Sequence, residues 1–128
     1  MALILTEADF ANLSLLESPE LERRLAGATR LPSDAAPEQL VTMNTMIRYR
    51  DMTSGETGEV QLVYPHDARA RQANRVSVLS PFGLALLGAS TGQVVEREIG
   101  GERRLLRIEG VMHQPERAMR EFRFLRPT

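Results

Sequence analysis

Cysteine, tryptophan and lysine are absent from the 128 residues of the chain. Without cysteine the protein has no disulfide framework, no thiolate ligand for a metal and no cysteine nucleophile. The opening MALILTEADF has neither the basic segment nor the full apolar core of a secretory signal. No apolar run approaches the ~18 residues that a membrane-spanning helix needs. The sequence therefore predicts a cytoplasmic protein, long enough to bury a substantial core.

Residue types that carry catalysis are few and scattered. His66 and His113 are the only histidines, and neither has a second histidine or a carboxylate cluster at metal-ligand spacing. A glycine-rich phosphate loop is also absent, as is a serine, histidine and aspartate set that strand positions would bring together. The sequence thus predicts a protein that is not an enzyme, with no catalytic residue, metal or cofactor.

Charge is distributed unevenly along the chain. Before residue 41, seven acidic residues outnumber three arginines, a balance of −4, whereas the remainder has thirteen arginines and ten acidic residues, a balance of +3. Because lysine is absent, every basic side chain is a planar guanidinium that can hold two oxygens at once. This pattern is consistent with two regions that meet different partners, but a base-composition bias explains the arginine usage equally well.

The amino-terminal part has the signals of two short helices. Thr6 can cap a helix over residues 7–16, and in ESPELERRLAGA, Ser18 can cap a second helix with Pro19 in its first position. The pair is expected to be antiparallel and only ~15 Å long, at 1.5 Å per residue. The segment RLPSDAAPEQ, with two prolines, then serves as a linker. Residues 1–37 are therefore interpreted as a helical hairpin with its linker.

Beyond the linker the apolar period changes to two. VTMNTMIRYRD and EVQLVYP predict two strands joined at SGETG, and Pro65 ends the second. NRVSVLS predicts a third strand, and GQVVEREIGGERRLLRIEGVM predicts two more around the turn at Gly100 and Gly101. The final PERAMREFRFLRPT fits a helix or a strand, so its structure is left open. Residues 38–128 are interpreted as one α+β domain.

The stretch LSPFGLALLG, residues 79–88, predicts the one helix of this domain. Ser80 can cap it, Pro81 fits its first position and Gly88 can end it in the left-handed conformation. Its leucines would lie on the sheet. Pro81 and Phe82 are expected at the exposed start of the helix, where burial does not require them.

The segments VTMNTMIRYRD, LVYP, VSVLSPFGLALLG and IGG, in this order, resemble the carboxy-terminal domain of the bacterial transcript-cleavage factors GreA and GreB. The resemblance covers residues 38–115 and is greater to the Rnk type, the regulators of nucleoside diphosphate kinase, in which a short helical hairpin precedes the domain. It implies an FKBP-like fold, an antiparallel sheet packed on one helix. It also implies RNA polymerase as the partner, bound near the secondary channel in competition with Gre factors.

The resemblance implies a polymerase-binding site at Leu79, Ser80, Pro81 and Phe82. Gre factors usually have an acidic residue where this chain has Leu79, so the contact is expected to be weaker or more apolar. The alternative is that Ser80 and Pro81 only cap a core helix.

Gre factors also carry two acidic residues at the tip of a long coiled coil, which help to hold a catalytic Mg²⁺ in the polymerase. Glu17 and Glu20 repeat this spacing at the possible tip of the short hairpin. Acidic residues are expected at any helix start, however, because they complement the helix dipole. Since the hairpin is also too short to reach deep into a channel, at most weak stimulation of transcript cleavage is expected.

Nucleic acid is the alternative partner. Arg69, Arg71 and Arg75 around one loop, and Arg103, Arg104 and Arg107 on one strand, could contact phosphates. Glutamates interleave with the strand arginines, which favours a charge-paired face and only indirect contact with nucleic acid through the polymerase. Prolyl isomerase activity would need an aromatic-lined cavity, which six scattered aromatic residues make hard to assemble.

Overall fold

A computed structural model describes residues 3–69 and 74–119 of the chain. In chain order its elements are β1 (Ile4–Thr6), α1 (Glu7–Leu13), α2 (Pro19–Ala26), β2 (Thr29–Leu31), β3 (Met46–Asp51), β4 (Thr57–Val63), β5 (Arg75–Ser77), α3 (Pro81–Leu86), β6 (Val94–Ile99) and β7 (Glu102–His113). Residues 115–119 are also helical, and the remainder of the segment whose structure was left open lies outside the described residues.

The two amino-terminal helices begin where the sequence predicts. The Thr6 hydroxyl accepts a hydrogen bond from the Asp9 amide at 3.1 Å, and the Ser18 hydroxyl accepts one from the Leu21 amide at 3.3 Å. Helix α1 ends at Leu13, three residues earlier than predicted. The amides of Leu15 and Leu16 bond to carbonyls three residues back, which tightens the chain into a turn, and Pro19 keeps Ser18 extended.

Strands β1 and β2 flank the helical hairpin and were not predicted. They pair in parallel, with Ile4 opposite Thr29 and Thr6 opposite Leu31. Strand β2 therefore occupies part of the predicted linker. Three residues are too few for an alternating pattern, so the sequence alone gives no sign of either strand.

A five-stranded sheet forms the centre of the larger, α+β part. Its strand order is β5-β4-β3-β7-β6, with β5 and β6 at the edges. The α+β class and a sheet packed on one helix, α3, are confirmed. One pair departs from the antiparallel arrangement, because β5 runs parallel to β4, with Gln61 opposite Arg75. Residues 64–74 separate the two strands, which is long enough to bring β5 back in the same direction, whereas a tight turn would have reversed it.

Strand β3 begins at Met46, five residues later than the predicted start at residue 41. A turn over residues 42–45 precedes it, in which the Thr45 hydroxyl accepts a hydrogen bond from the Thr42 amide at 3.1 Å. Asn44 has a φ of 65°, a left-handed conformation that interrupts an extended strand. The turn buries Thr42, although this residue alternates with apolar ones in the sequence.

The hairpin between β6 and β7 matches its prediction. Gly100 and Gly101 have φ values of 57° and 82°, so both central residues of the two-residue turn are in the region that glycine favours. Strand β6, with the sequence VVEREI, pairs only with β7 among the described residues and leaves its other side free.

One apolar cluster joins the hairpin and the sheet. Leu5, Leu13 and Leu21 are fully buried in the same cluster as Ile47 and Leu106 of the sheet. The division of the chain at residue 37 therefore stays a prediction. None of the helices in the described part is long and apolar enough to cross a membrane.

Candidate functional site

The start of α3 is held by a compact set of hydrogen bonds. The Ser80 hydroxyl donates to the Ser77 carbonyl at 2.7 Å and accepts from the Gly83 amide at 3.1 Å. The Ser77 hydroxyl accepts from the Leu79 amide at 3.1 Å. Ser80 is thus the predicted cap, and residues 77–80 are fixed relative to the helix.

Gly83 brings the helix against the preceding strand. A Cβ at this position would lie 1.9 Å from the Ser77 carbonyl oxygen, a distance that no real side chain could adopt. Glycine is therefore required for the backbone of α3 to pack directly on the end of β5. This contact fixes the direction in which Leu79 and Pro81 point.

The four predicted binding residues differ in exposure. Pro81 is exposed, Leu79 is 37% exposed and Ser80 is half-buried, so these three form a continuous surface. Phe82 is only 5% exposed, and its expected display at the helix start is wrong. It lies about 100° around the helix axis from Pro81, which turns it toward the sheet. There the Arg97 guanidinium carbon lies 4.5 Å from the centroid of its ring.

Glu17 and Glu20 are both exposed. Glu17 lies in the turn between α1 and α2, and Glu20 lies in the first turn of α2. These helices have seven and eight residues, so each is only ~10–12 Å long. Glu20 lies close to the start of α3, because it lines the same surface hollow as Pro81.

This hollow lies between α2 and α3 and measures about 460 Å³. A second hollow of about 410 Å³ continues from it toward β1 and β6. The two meet at Arg24 and Ala85, which line both. We call the combined depression the α3 groove; its lining includes Ile4, Glu20, Arg23, Arg24, Pro81, Leu84, Ala85 and Val94.

The sheet arginines are paired with acidic residues. Arg104 contacts Asp51 at 2.8 Å and Arg48 contacts Glu59 at 2.9 Å, and further ion pairs join Arg50 to Glu109 and Arg103 to Glu96. The hydrogen bond from Arg104 holds the pKa of the Asp51 carboxyl below its usual value. In the loop, Arg75 donates to the Asp67 carbonyl at 3.4 Å, whereas Arg71 and the side chain of Arg69 lie outside the described residues.

Both histidines are on the surface, far from each other in the chain. His66 stacks against Tyr64 with 6.4 Å between the ring centroids, and His113 is the exposed last residue of β7. In the part of the chain that the structure describes, no group of three or more histidine or acidic residues could hold a metal ion.

A separate cleft of about 340 Å³ lies where α1 meets the turn over residues 42–45. The Asp9 carboxylate accepts a hydrogen bond from the Met43 amide at 3.0 Å, and the Glu116 carboxylate accepts one from the Thr42 hydroxyl at 2.7 Å. Burial raises the pKa of Asp9 from 3.8 to about 6; the bond from Met43 opposes this rise and the charge of Glu116 adds to it. The two carboxylates hold the hairpin and residues 115–119 to the same turn.

The fold and the fixed start of α3 can be compared with known proteins. The family described as "Transcription elongation factor, GreA/GreB, C-term" matches residues 36–113, which contain β3 to β7 and α3. The chain belongs to the GreA/GreB family. The matched range begins close to residue 38, where the sequence predicts the start of the larger domain.

Individual family members resemble more than this domain. The regulator of nucleoside diphosphate kinase of Escherichia coli K12 is 31% identical over 118 residues, which are 91% of this chain and 84% of that protein. The structure of a GreA/GreB transcription elongation factor from Nitrosomonas europaea has a TM-score of 0.76 and 30% identity, covering 88% of this chain and 99% of that one. The similarity to regulators of nucleoside diphosphate kinase is thus confirmed.

A third relative shows likeness of fold alone. The GreA factor homolog 1 of Thermus thermophilus has a TM-score of 0.54 and 21% identity, covering 88% of this chain and 100% of that one.

Sequence reasoning missed the α3 groove and its two arginines. Arg23 and Arg24 are exposed neighbours on α2, where they were assigned no role. The only sequence feature that marks them is their position between Leu21 and Leu25, the buried residues of the helix. That pattern places them on the outer side of α2 but does not reveal which element lies beside them.

Proposed function

We propose that this protein is a non-enzymatic regulator of transcription that binds RNA polymerase near its secondary channel. The observation that carries the proposal is the surface of Leu79, Ser80 and Pro81, which is exposed and held rigid by its hydrogen bonds. Membership of the GreA/GreB family supports a partner in the transcription machinery. A cytoplasmic location accords with this role.

The surface offers an apolar contact. Leu79 is 37% exposed, and Pro81 adds a second apolar side chain beside it. Because the backbone at this point is already fixed, a partner would bind it with little loss of conformational entropy. The buried ring of Phe82 fills the space between α3 and β6 and so supports the surface at Pro81.

The short hairpin determines what the protein does when bound. The two helices of the hairpin, α1 and α2, extend only ~10–12 Å, so Glu17 and Glu20 stay close to the domain. A cleavage factor needs both acidic residues and the reach to place them beside the catalytic metal. The protein therefore occupies the channel rim without stimulating cleavage, and excludes longer Gre factors from it.

The test replaces Pro81 by aspartate and measures binding to core RNA polymerase. A carboxylate in the apolar contact should raise the Kd about tenfold or more, because it must lose water to bind and replaces an apolar side chain. Circular dichroism and the melting temperature should change little, since the first helical position is exposed and tolerates most residues.

Pro19→Asp is the matched control. Pro19 also follows a serine cap, is also exposed and is the first residue of α2. It should leave the polymerase affinity within about twofold. Unchanged binding by the Pro81 variant would remove this surface from the proposal, and no binding by the unaltered protein would overturn the proposed function.

A further inference from the structure

Two arginines in the α3 groove have no ion-pair or hydrogen-bond partner among the residues that the structure describes. The other arginine side chains that the structure describes form ion pairs, bond to carbonyls or lie over aromatic rings. Arg23 and Arg24 do none of these among residues 3–69 and 74–119, and both are exposed. Both line the same hollow as the acidic Glu20, but neither is within ion-pair distance of a carboxylate among the described residues.

The rest of the groove is largely apolar. Pro81, Leu84 and Ala85 line it along α3, and farther on it reaches Ile4 and Val94. Ile4 is 37% exposed and Val94 is 49% exposed, so apolar surface remains uncovered at that end. An apolar floor beside two free cations matches a segment that has both apolar side chains and carboxylates.

We propose that the α3 groove binds an acidic amphipathic segment of the polymerase, with carboxylates against Arg23 and Arg24 and apolar side chains against α3. The proposal rests on the proposed function, because the groove begins at Pro81 and would continue the same interface. Glu20 lines the same hollow as Pro81, Arg23 and Arg24, one helical turn before the two arginines. The carboxylates of the bound segment would lie against Arg23 and Arg24, and the like charge of Glu20 disfavours a carboxylate placed beside it.

Two other occupants fit the groove less well. A nucleic acid would satisfy the arginines but leave the exposed surface of Ile4 and Val94 without an apolar partner. A second copy of this chain would bring its own acidic amino-terminal part, yet the same part carries Arg23 and Arg24. Both occupants are outcomes that the experiment distinguishes.

The first measurement compares the double variant Arg23→Ala, Arg24→Ala with Arg48→Ala, Arg103→Ala. Each removes two positive charges, but the second pair lies on the sheet face, in ion pairs with Glu59 and Glu96. The groove variant should raise the Kd for core polymerase about 2- to 30-fold, corresponding to two exposed or partly exposed ion pairs, and the control should not. The difference in Kd between the groove variant and the unaltered protein should become smaller as salt is raised from 50 to 500 mM.

The second measurement tests the sign of the partner's charge at Ala85, which lines both parts of the groove. Ala85→Glu and Ala85→Gln add side chains of the same size, so a steric effect alone weakens binding equally. An acidic partner is repelled by the glutamate only, and Ala85→Glu should weaken binding at least about threefold more.

Each outcome separates the two proposals. If Pro81→Asp weakens polymerase binding while the Arg23, Arg24 variant and Ala85→Glu match their controls, the groove proposal is overturned and the proposed function stands. Absence of polymerase binding by the unaltered protein overturns both. The groove would have another occupant if the Arg23, Arg24 variant kept its polymerase affinity but lost binding to DNA, or lost dimers seen in analytical ultracentrifugation. Either result would overturn the proposal.

Discussion

Replacing Asp9 by asparagine should stabilise the protein at neutral pH. Asp9 is partly buried beside Glu116, and its pKa is raised from 3.8 to about 6. An acid whose pKa is raised on folding destabilises the folded state wherever it is ionised in both states. The difference between 3.8 and about 6 corresponds to about 3 kcal/mol above pH 7. Asparagine removes this charge and keeps an oxygen that can accept the Met43 amide hydrogen, although more weakly.

The expected gain in unfolding free energy for Asp9→Asn is therefore about 1 to 3 kcal/mol at pH 7.5. The sign of the pH dependence follows from the same values. As the pH falls through 6 toward 4, the folded protein takes up a proton at Asp9 and the penalty in the unaltered chain disappears. At pH 5.0 the advantage of the variant over the unaltered protein should be about 1.4 kcal/mol smaller than at pH 7.5.

Urea unfolding followed by circular dichroism at pH 7.5 and pH 5.0 measures both quantities. Glu7→Gln is the control, because Glu7 is an exposed acidic residue in the same helical turn. It should lower stability by less than about 0.5 kcal/mol, through the loss of a favourable charge at the helix start. A destabilised Asp9→Asn variant at pH 7.5, or a difference that is equal at both pH values, would refute the reasoning.

Three further predictions concern packing and function. Gly83→Ala should destabilise the protein by about 3 kcal/mol, since its Cβ would overlap the Ser77 carbonyl, whereas Gly27→Ala, with open space around it, should be nearly neutral in thermal unfolding. Fluorescence anisotropy should detect no binding to DNA at low salt, and affinity that falls steeply with salt would contradict this. In a backtracked transcription complex the protein should not stimulate cleavage and, in excess, should slow cleavage by GreA. Cleavage stimulated by the unaltered protein, and abolished by the double variant Glu17→Ala, Glu20→Ala, would contradict this prediction.

Local signals in the sequence were sufficient for the starts of the helices and for the β6–β7 turn. Ser80 and Pro81 marked the start of α3, and the paired glycines marked the β6–β7 turn, because caps and positive φ depend on a few adjacent residues. The five strands also followed from alternation and apolar runs. The start of β3 did not, since Asn44 adopts a left-handed conformation within a run that otherwise alternates.

The candidate site was only half visible in the sequence. A helix of six residues is too short for its apolar pattern to show which side is buried, so Phe82 was assigned to the wrong face. The α3 groove joins residues near position 23 to residues near position 85, and no local pattern encodes such a pairing. What the sequence could not provide was the packing of the hairpin on the domain.

Within the described parts of the chain no strand pairs with the outer edge of β6, and this has a consequence for solubility. Two copies of this strand could pair antiparallel about a twofold axis perpendicular to the sheet. Paired residues must point to the same face of the sheet, so one residue of the strand lies opposite its own copy, and the axis passes between these two. An axis at Glu96 or Glu98 opposes that glutamate to itself. An axis at Arg97 opposes two arginines and places Glu96 against Glu98. Every register centred in this charged run brings like charges together, and the strand thereby resists the edge-to-edge aggregation to which an open sheet is prone.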